Sequence, residues 1–306
     1  MAGSTTAWAE IFQEAGLPAG ALNVVTHAPG EAGAIADALL ASPLVKRINF
    51  TGSTPTGRRL AEKAGRQLKR VLLQLSGQNP LIVAADADLD YAVNAATYGA
   101  FIHQGQVCMC ARRIYVERPL AEAFAERFAA RAAALPTGDP SDPATVVGPV
   151  INEWALALLD RRVKEAVGLG ARVMAGGVPV PPCYPATVLT DVPDEAEIAQ
   201  GETFGPVVVL ETVESAEQAV TRANASDFGL VASVITGDTR RGLRLASALE
   251  VGIVHVNDQP VNDEPHMPFG GVKDSGWGRF GLEFAAEEFS ELQWLTVRDQ
   301  DRDFPF

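Results

Sequence analysis

Cys108 is the side chain of this chain best suited to covalent chemistry. It lies in the segment 104–110, after a run that is compatible with a helix and before a predicted strand. A thiol becomes a strong nucleophile when its pKa falls or when a base stands beside it. Arg112 and Arg113 follow closely and could supply positive potential, whereas an isolated cysteine is more often inert core packing. The segment therefore predicts either a nucleophile or a packed thiol, and Cys110 is interpreted as packing.

A second candidate feature is the tight turn at residues 51–54, between a predicted strand and a predicted helix. Ser53 or Thr54 can cap that helix, and Pro55 suits its first turn. Free backbone N–H groups and the helix dipole favour a phosphate at such an N-terminus. The segment has no G-x-G-x-x-G pattern, so phosphate binding at Gly52 and Ser53 competes with an ordinary capped turn.

Strands and helices alternate along the chain, as they do in a parallel sheet with crossover helices. Helices are predicted over residues 7–15, 32–41, 54–65, 91–102, 119–135 and 153–170. Strands are predicted over residues 22–26, 45–50, 71–75, 81–85, 112–117, 172–175, 206–212, 230–236, 252–256 and 291–298. Residues 138–143 and 178–185 are predicted surface loops. This order predicts an α/β fold.

Composition narrows the classes of partner. The 306 residues carry a net charge of −13, which argues against nucleic acid and anionic membranes because both would repel the chain. Three cysteines without a zinc-like Cys/His pattern predict a reducing compartment and no metal site. No apolar run reaches the length of a membrane span, and the first residues do not resemble a signal peptide. We therefore expect a cytoplasmic protein.

Five short motifs stand in the order found in the aldehyde dehydrogenase superfamily, and the chain resembles the C-terminal part of a typical member. The motifs are residues 50–54, the loop 74–80, residues 105–108, residues 202–206 and residues 267–271. Residues 23–29, 264–273 and 278–281 are most similar to vanillin, benzaldehyde and salicylaldehyde dehydrogenases. The resemblance implies oxidation of an aromatic aldehyde to the acid, with NAD as the expected cofactor and NADP as the alternative.

The resemblance also implies a role for each motif. Cys108 attacks the aldehyde to form a thiohemiacetal, which gives up hydride and leaves a thioester for water to hydrolyse. Gly52 and Ser53 lie against the pyrophosphate. Glu202 hydrogen-bonds the ribose on the nicotinamide side, and Phe204 packs near the nicotinamide ring. Without the resemblance, Glu202 is a surface carboxylate and Phe204 a core residue.

The loop 74–80 departs from the family at three positions. Gln74 replaces the glutamate that activates the hydrolytic water, and loss of a general base typically costs about 10²–10⁴-fold in rate. Gln74 remains a candidate catalytic residue because an amide can still position water. Ser76 and Gln78 replace the usual glycine and lysine, and Ser76 is expected to strain a turn where glycine is normal.

The expected fold class is α/β, with an incomplete doubly wound parallel cofactor-binding sheet followed by an α/β catalytic domain. We predict a partial dinucleotide-binding domain at residues 1–75, a thiol-bearing catalytic domain at 76–262, and a return segment with an oligomerisation strand at 263–306. The N-terminal part of the family is absent from this chain. The expected partners are a small aldehyde and either identical subunits or a full-length homologue.

Three functional hypotheses follow. In the first, the chain is an aldehyde dehydrogenase impaired by Gln74 and by its shortened N-terminus. In the second, it is a non-catalytic homologue or partner subunit. In the third, it transfers the acyl group of its thioester to a thiol such as CoA, which would make the missing glutamate dispensable.

Overall fold

A computed structural model describes residues 2–28 and 30–306 of the chain, which divide into two compact units. The first unit comprises Met1–Ile48 and Arg59–Arg70, and the second comprises Asn49–Arg58 and Val71–Phe306. Within the described residues, no helix is both long enough and apolar enough to cross a membrane.

The first unit is mainly helical. It contains α1 (Ala2–Glu14), α2 (Ala32–Ala41) and most of α3 (Thr54–Arg66). The amide of Ser42 closes α2 by donating to the oxygen of Ala38 at 3.1 Å. Lys69 then ties the end of α2 down, because its ammonium group donates to the Ser42 oxygen at 2.6 Å.

The predicted strand at residues 22–26 is wrong. These residues are exposed and carry no regular secondary structure. Alternating apolar residues form a strand only where a neighbouring strand satisfies their backbone groups. Within residues 2–28 and 30–306 no strand pairs with this segment.

Three sheets contain the twelve strands of the described chain. In chain order the strands are β1 (Arg47–Thr51), β2 (Arg70–Gln74), β3 (Pro80–Val83), β4 (Arg113–Glu117), β5 (Arg172–Ala175), β6 (Thr187–Thr190), β7 (Val207–Val213), β8 (Phe228–Gly229), β9 (Val231–Ile235), β10 (Ile253–Val256), β11 (Val272–Lys273) and β12 (Gly276–Trp277). The largest sheet has the order β10-β9-β3-β4-β7-β6-β5 and is parallel except for the pair β5–β6. The smaller sheets have the orders β1-β2-β12 and β11-β8.

Helices cover both faces of the seven-stranded sheet, as a buried parallel sheet requires. The remaining helices are α4 (Leu89–Phe101), α5 (Arg118–Ala133), α6 (Glu153–Gly168), α7 (Glu197–Gln200), α8 (Ala216–Asn224), α9 (Thr239–Ala248) and α10 (Leu282–Glu288). Apolar residues of α4 and α5 pack on one face of the central strands, and those of α8 and α9 pack on the other. The α/β arrangement predicted from the alternating pattern is therefore present.

The predicted strand at residues 291–298 is also wrong. This segment is exposed and irregular, since in the described chain no strand lies beside it to complete its hydrogen bonds. The loop 178–185 is exposed only in part, because Cys183 and Tyr184 are buried. Sequence patterns also missed α8, α9 and β6.

Candidate active site

The thiol of Cys108 lies in an irregular turn between a short 3-10 segment, Ile102–Gly105, and strand β4. His103, Gln104 and Gly105 all have positive φ angles, of 49°, 57° and 64°. Only glycine fits the last position, because an added Cβ atom would lie 2.3 Å from the main-chain oxygen of Gly205. Gly105 therefore allows the sharp reversal that presents the sulfur.

Asn79 holds this turn from behind. Its Nδ2 atom donates to the main-chain oxygens of Cys108 at 2.6 Å and Cys110 at 2.8 Å. Asn79 itself has a φ angle of 39°, which asparagine tolerates better than most residues. Sequence reasoning gave this residue no role, although an Asn-Pro pair marks a turn. Its position shows that the loop 74–80 and the thiol turn form one structure.

Gln74 ends strand β2 beside the thiol, with 3% of its surface exposed. Its Nε2 atom donates towards the Sγ atom of Cys108 at 3.8 Å. The Oε1 atom is buried and has no hydrogen-bond partner in the part of the chain that is described. The amide thus presents a donor to the sulfur and leaves an acceptor unused.

Several effects act on the pKa of the Cys108 thiol, and the three largest come from burial, Gln74 and Glu202. Burial raises it most, the hydrogen bond from Gln74 lowers it, and the negative charge of Glu202 raises it. The net result is a pKa above that of an ordinary thiol. The free sulfur is therefore largely protonated near neutral pH.

The two arginines after the turn bind other groups. Arg112 is buried and donates to the main-chain oxygens of Gly205, at 2.7 Å, and Gly105. Arg113 pairs with Glu211 at 2.8 Å from its Nε atom. Among the described residues, neither arginine hydrogen-bonds the sulfur of Cys108. Cys110 is fully buried, as its interpretation as packing predicted.

The substituted residues of the loop 74–80 have partners of their own. The amide of Gln78 donates to the Ala199 oxygen at 2.7 Å, and its Oε1 atom accepts from the Ser226 hydroxyl at 3.0 Å. The strain expected at Ser76 is wrong, because Ser76 is not among the residues with positive φ angles, and the left-handed position in this loop is Asn79. The loop is thus a packed structure.

The side chain of Glu202 also contacts the loop 74–80. One carboxylate oxygen accepts from the backbone N–H of Gly77 at 3.2 Å. The main-chain oxygen of Glu202 accepts from the Arg162 guanidinium at 2.5 Å, which fixes the backbone that carries the carboxylate. Nearby, the ring of Phe204 is 43% exposed, so it is not the core residue that its apolar side chain alone suggested.

One cavity of about 680 Å³ is lined by all six residues that the sequence predicted as site residues. They are Gly52, Ser53, Gln74, Cys108, Glu202 and Phe204. The start of α3 forms one wall, where the oxygen of Ser53 accepts from the Gly57 amide at 3.0 Å. The described residues contain no group of His, Cys, Asp and Glu side chains that could hold a metal ion.

Comparisons with known proteins relate the whole chain to one family of enzymes. The family model described as "Aldehyde dehydrogenase family" matches residues 2–295. A benzaldehyde dehydrogenase [NAD(+)] of Pseudomonas putida is 45% identical over 97% of this chain and 61% of its own length. A vanillin dehydrogenase of Pseudomonas fluorescens is 42% identical, again over 97% of this chain and 61% of its own.

A solved structure has the same fold. The crystal structure of a salicylaldehyde dehydrogenase from Pseudomonas putida G7, complexed with salicylaldehyde, superposes with a TM-score of 0.94 at 40% identity. The match covers 97% of this chain and 62% of that one. The chain thus spans about three-fifths of the length of the curated relatives described above.

Proposed function

Because the chain belongs to the aldehyde dehydrogenase family, we propose that it oxidises an aromatic aldehyde to the carboxylic acid with NAD, using Cys108 as the nucleophile. The observation that carries the proposal is the cavity in which Cys108, Gln74, Glu202 and the turn at Gly52 meet. The aromatic substrate class rests on relatives whose names include benzaldehyde and vanillin dehydrogenase.

The cavity has features that fit a nicotinamide dinucleotide. Its volume of about 680 Å³ lies in the range of cofactor sites. The N-terminal turn of α3 borders it at Gly52 and Ser53, where backbone N–H groups and the helix dipole favour a phosphate. The Phe204 ring offers an exposed apolar surface for a planar group, and the Glu202 carboxylate can accept from a sugar hydroxyl. When bound, the nicotinamide supplies the acceptor for hydride.

The residues of the chain carry the other steps. The Cys108 sulfur, once deprotonated, bonds to the aldehyde carbon, and the carbonyl oxygen takes negative charge. The backbone N–H of Cys108 can stabilise that charge, a contribution worth about 3 kcal/mol for a typical oxyanion donor. The amide of Gln74 favours the thiolate before attack, because it donates towards the sulfur. After hydride leaves the substrate carbon, the acyl group remains on Cys108 as a thioester.

A rapid-mixing measurement tests the proposal. The purified chain is mixed with NAD and benzaldehyde or vanillin, and reduced nicotinamide is followed through the first turnover. We expect a burst approaching one equivalent per chain, followed by slow turnover, because Gln74 is not a base. Cys108→Ala should abolish the burst. A burst that survives this substitution contradicts the assignment.

A non-catalytic role is the second candidate, and it is favoured by two observations. The pKa of the thiol is raised by burial, and the side chain facing it is an amide rather than a carboxylate. This hypothesis predicts no burst with NAD or NADP, with folding verified by circular dichroism. It further predicts co-purification with a longer homologue.

We also propose association through the segment that follows α10. Leu292, Trp294, Leu295 and Val297 are all strongly exposed, which is unusual for a cluster of large apolar side chains. Light scattering of the intact chain tests the proposal, with Trp294→Ser expected to shift the chain towards a smaller species.

A further inference from the structure

Gln74 leaves the cavity without a base at position 74, whose side chain contacts the sulfur. Apart from Cys108, the ionisable side chains that line the cavity are Arg162 and Glu202. A guanidinium does not give up its proton in a protein, so it cannot serve as a base. Glu202 is therefore the one carboxylate among the described lining residues that can receive a proton.

The geometry places this carboxylate beside the loop that packs against the Cys108 turn. The backbone N–H of Gly77 donates to the Glu202 Oε1 atom at 3.2 Å. On its other side, a Cβ atom added to Gly77 would lie 3.1 Å from the main-chain oxygen of Cys108. Gly77 thus lies between the Glu202 carboxylate and the turn that carries Cys108. The effect of the Glu202 charge on the thiol pKa is consistent with this proximity.

We propose that Glu202 is the general base that hydrolyses the Cys108 thioester in this chain, in place of the side chain at position 74. The inference rests on the function proposed above. The oxygen of water bonds to the acyl carbon, and its proton passes to the Glu202 carboxylate. The carbon–sulfur bond then breaks, the electron pair returns to the sulfur, and the amide of Gln74 donates to the thiolate that leaves. The product is the carboxylic acid.

This assignment gives one carboxylate two tasks. A carboxylate that accepts a hydrogen bond from a ribose hydroxyl is a poorer base, because that bond stabilises its charged form. Occupation of the cavity by a nucleotide and hydrolysis of the thioester therefore compete. We expect added NAD to slow thioester hydrolysis, which a purely structural role of Glu202 does not predict.

The test acylates Cys108 without any oxidation step. The intact chain is mixed with 4-nitrophenyl benzoate in the absence of nucleotide, and nitrophenolate is followed at stopped-flow times. The burst measures acylation, and the steady state measures hydrolysis of the acyl-enzyme. Glu202→Gln should keep the burst and lower the steady-state rate by about 10²–10⁴-fold. Glu195→Gln, an exposed glutamate close in sequence, is the matched control and should change neither phase.

A rescue variant separates base catalysis from structure. Gln74→Glu combined with Glu202→Gln restores a carboxylate beside the sulfur, and we expect the steady-state rate to recover to within about tenfold of the parent chain. An unchanged steady state in Glu202→Gln overturns the inference, and so does a double variant that keeps its burst without recovering turnover. If the parent chain shows a burst neither with the ester nor with NAD and aldehyde, the result contradicts the proposed function itself.

Discussion

The Nδ2 atom of Asn79 lies 2.6 Å from the main-chain oxygen of Cys108, so one buried amide holds the turn that carries the proposed nucleophile. The same atom reaches the oxygen of Cys110 at 2.8 Å. These contacts join two segments far apart in sequence. We therefore expect reactivity at the thiol to depend on a side chain that takes no part in bond formation.

Asn79→Ala should destabilise the chain by about 2 kcal/mol. The substitution leaves buried carbonyl oxygens without a donor and puts alanine at a left-handed φ angle. Urea unfolding followed by circular dichroism measures the change. Asn94→Ala, at an exposed position on α4, should stay within about 0.5 kcal/mol. Equal effects at both positions would contradict the assigned role.

The alkylation rate of Cys108 should rise with pH to a midpoint above that of an ordinary thiol, because burial raises its pKa. Glu202→Gln should lower the midpoint by removing a negative charge. Gln74→Leu should raise it by removing the donor. Iodoacetamide modification read by mass spectrometry provides the measurement, with buried Cys110 and Cys183 as internal references. Equal pH midpoints in the parent chain, Glu202→Gln and Gln74→Leu would contradict this prediction.

Arg113→Ala should cost about 2 kcal/mol, because it removes one of the two guanidinium partners of Glu211 in a site where the Arg113 and Glu211 side chains are 13% exposed, and leaves Arg222 at 3.0 Å. Removing Glu211 as well should recover part of the loss. Arg118→Ala breaks an ion pair with Glu214 on the surface and should leave the unfolding midpoint nearly unchanged. Chemical denaturation of the parent chain, Arg113→Ala, the variant that also lacks Glu211, and Arg118→Ala measures the free energies of unfolding that test this prediction.

Glu117 should make stability depend on acid pH. The backbone N–H of Ala85, the guanidinium of Arg241 and the N–H of Ala216 hold the pKa of this carboxyl below its usual value of 4.5, against an opposing effect of burial. The stabilisation is therefore present at neutral pH and is lost as the pH falls below about 4.5 through the lower folded value.

Glu117→Gln should accordingly lower the melting temperature at pH 7 and flatten its decline below pH 5. Glu283→Gln, at an exposed position of α10, serves as the control and should leave the profile of melting temperature against pH unaltered. A parallel downward shift of the whole profile in Glu117→Gln would mean that the carboxyl does not titrate as described.

The sequence predicted the family and the architecture well, and both are confirmed by the family match and by the TM-score of 0.94. Helix α2 was predicted to the residue. Periodicity and capping are local properties, so such elements can be recognised from sequence alone. Residues 22–26 and 291–298 failed because a strand depends on a neighbour that local pattern does not specify.

The site was predicted by motif order, and its supporting contacts were not. All six singled-out residues line one cavity. The hydrogen bonds from Asn79 to the thiol turn and from Gly77 to Glu202 join segments that are distant in sequence, so no local spacing predicts them. Their proposed roles await the measurements above.

The amide at position 74 also has a consequence for alkylating reagents. Its Nε2 atom donates towards the Cys108 sulfur, whereas a carboxylate at the same position would place a negative charge beside the thiolate. We therefore expect the chain to react faster with iodoacetamide at a given pH than its Gln74→Glu variant does.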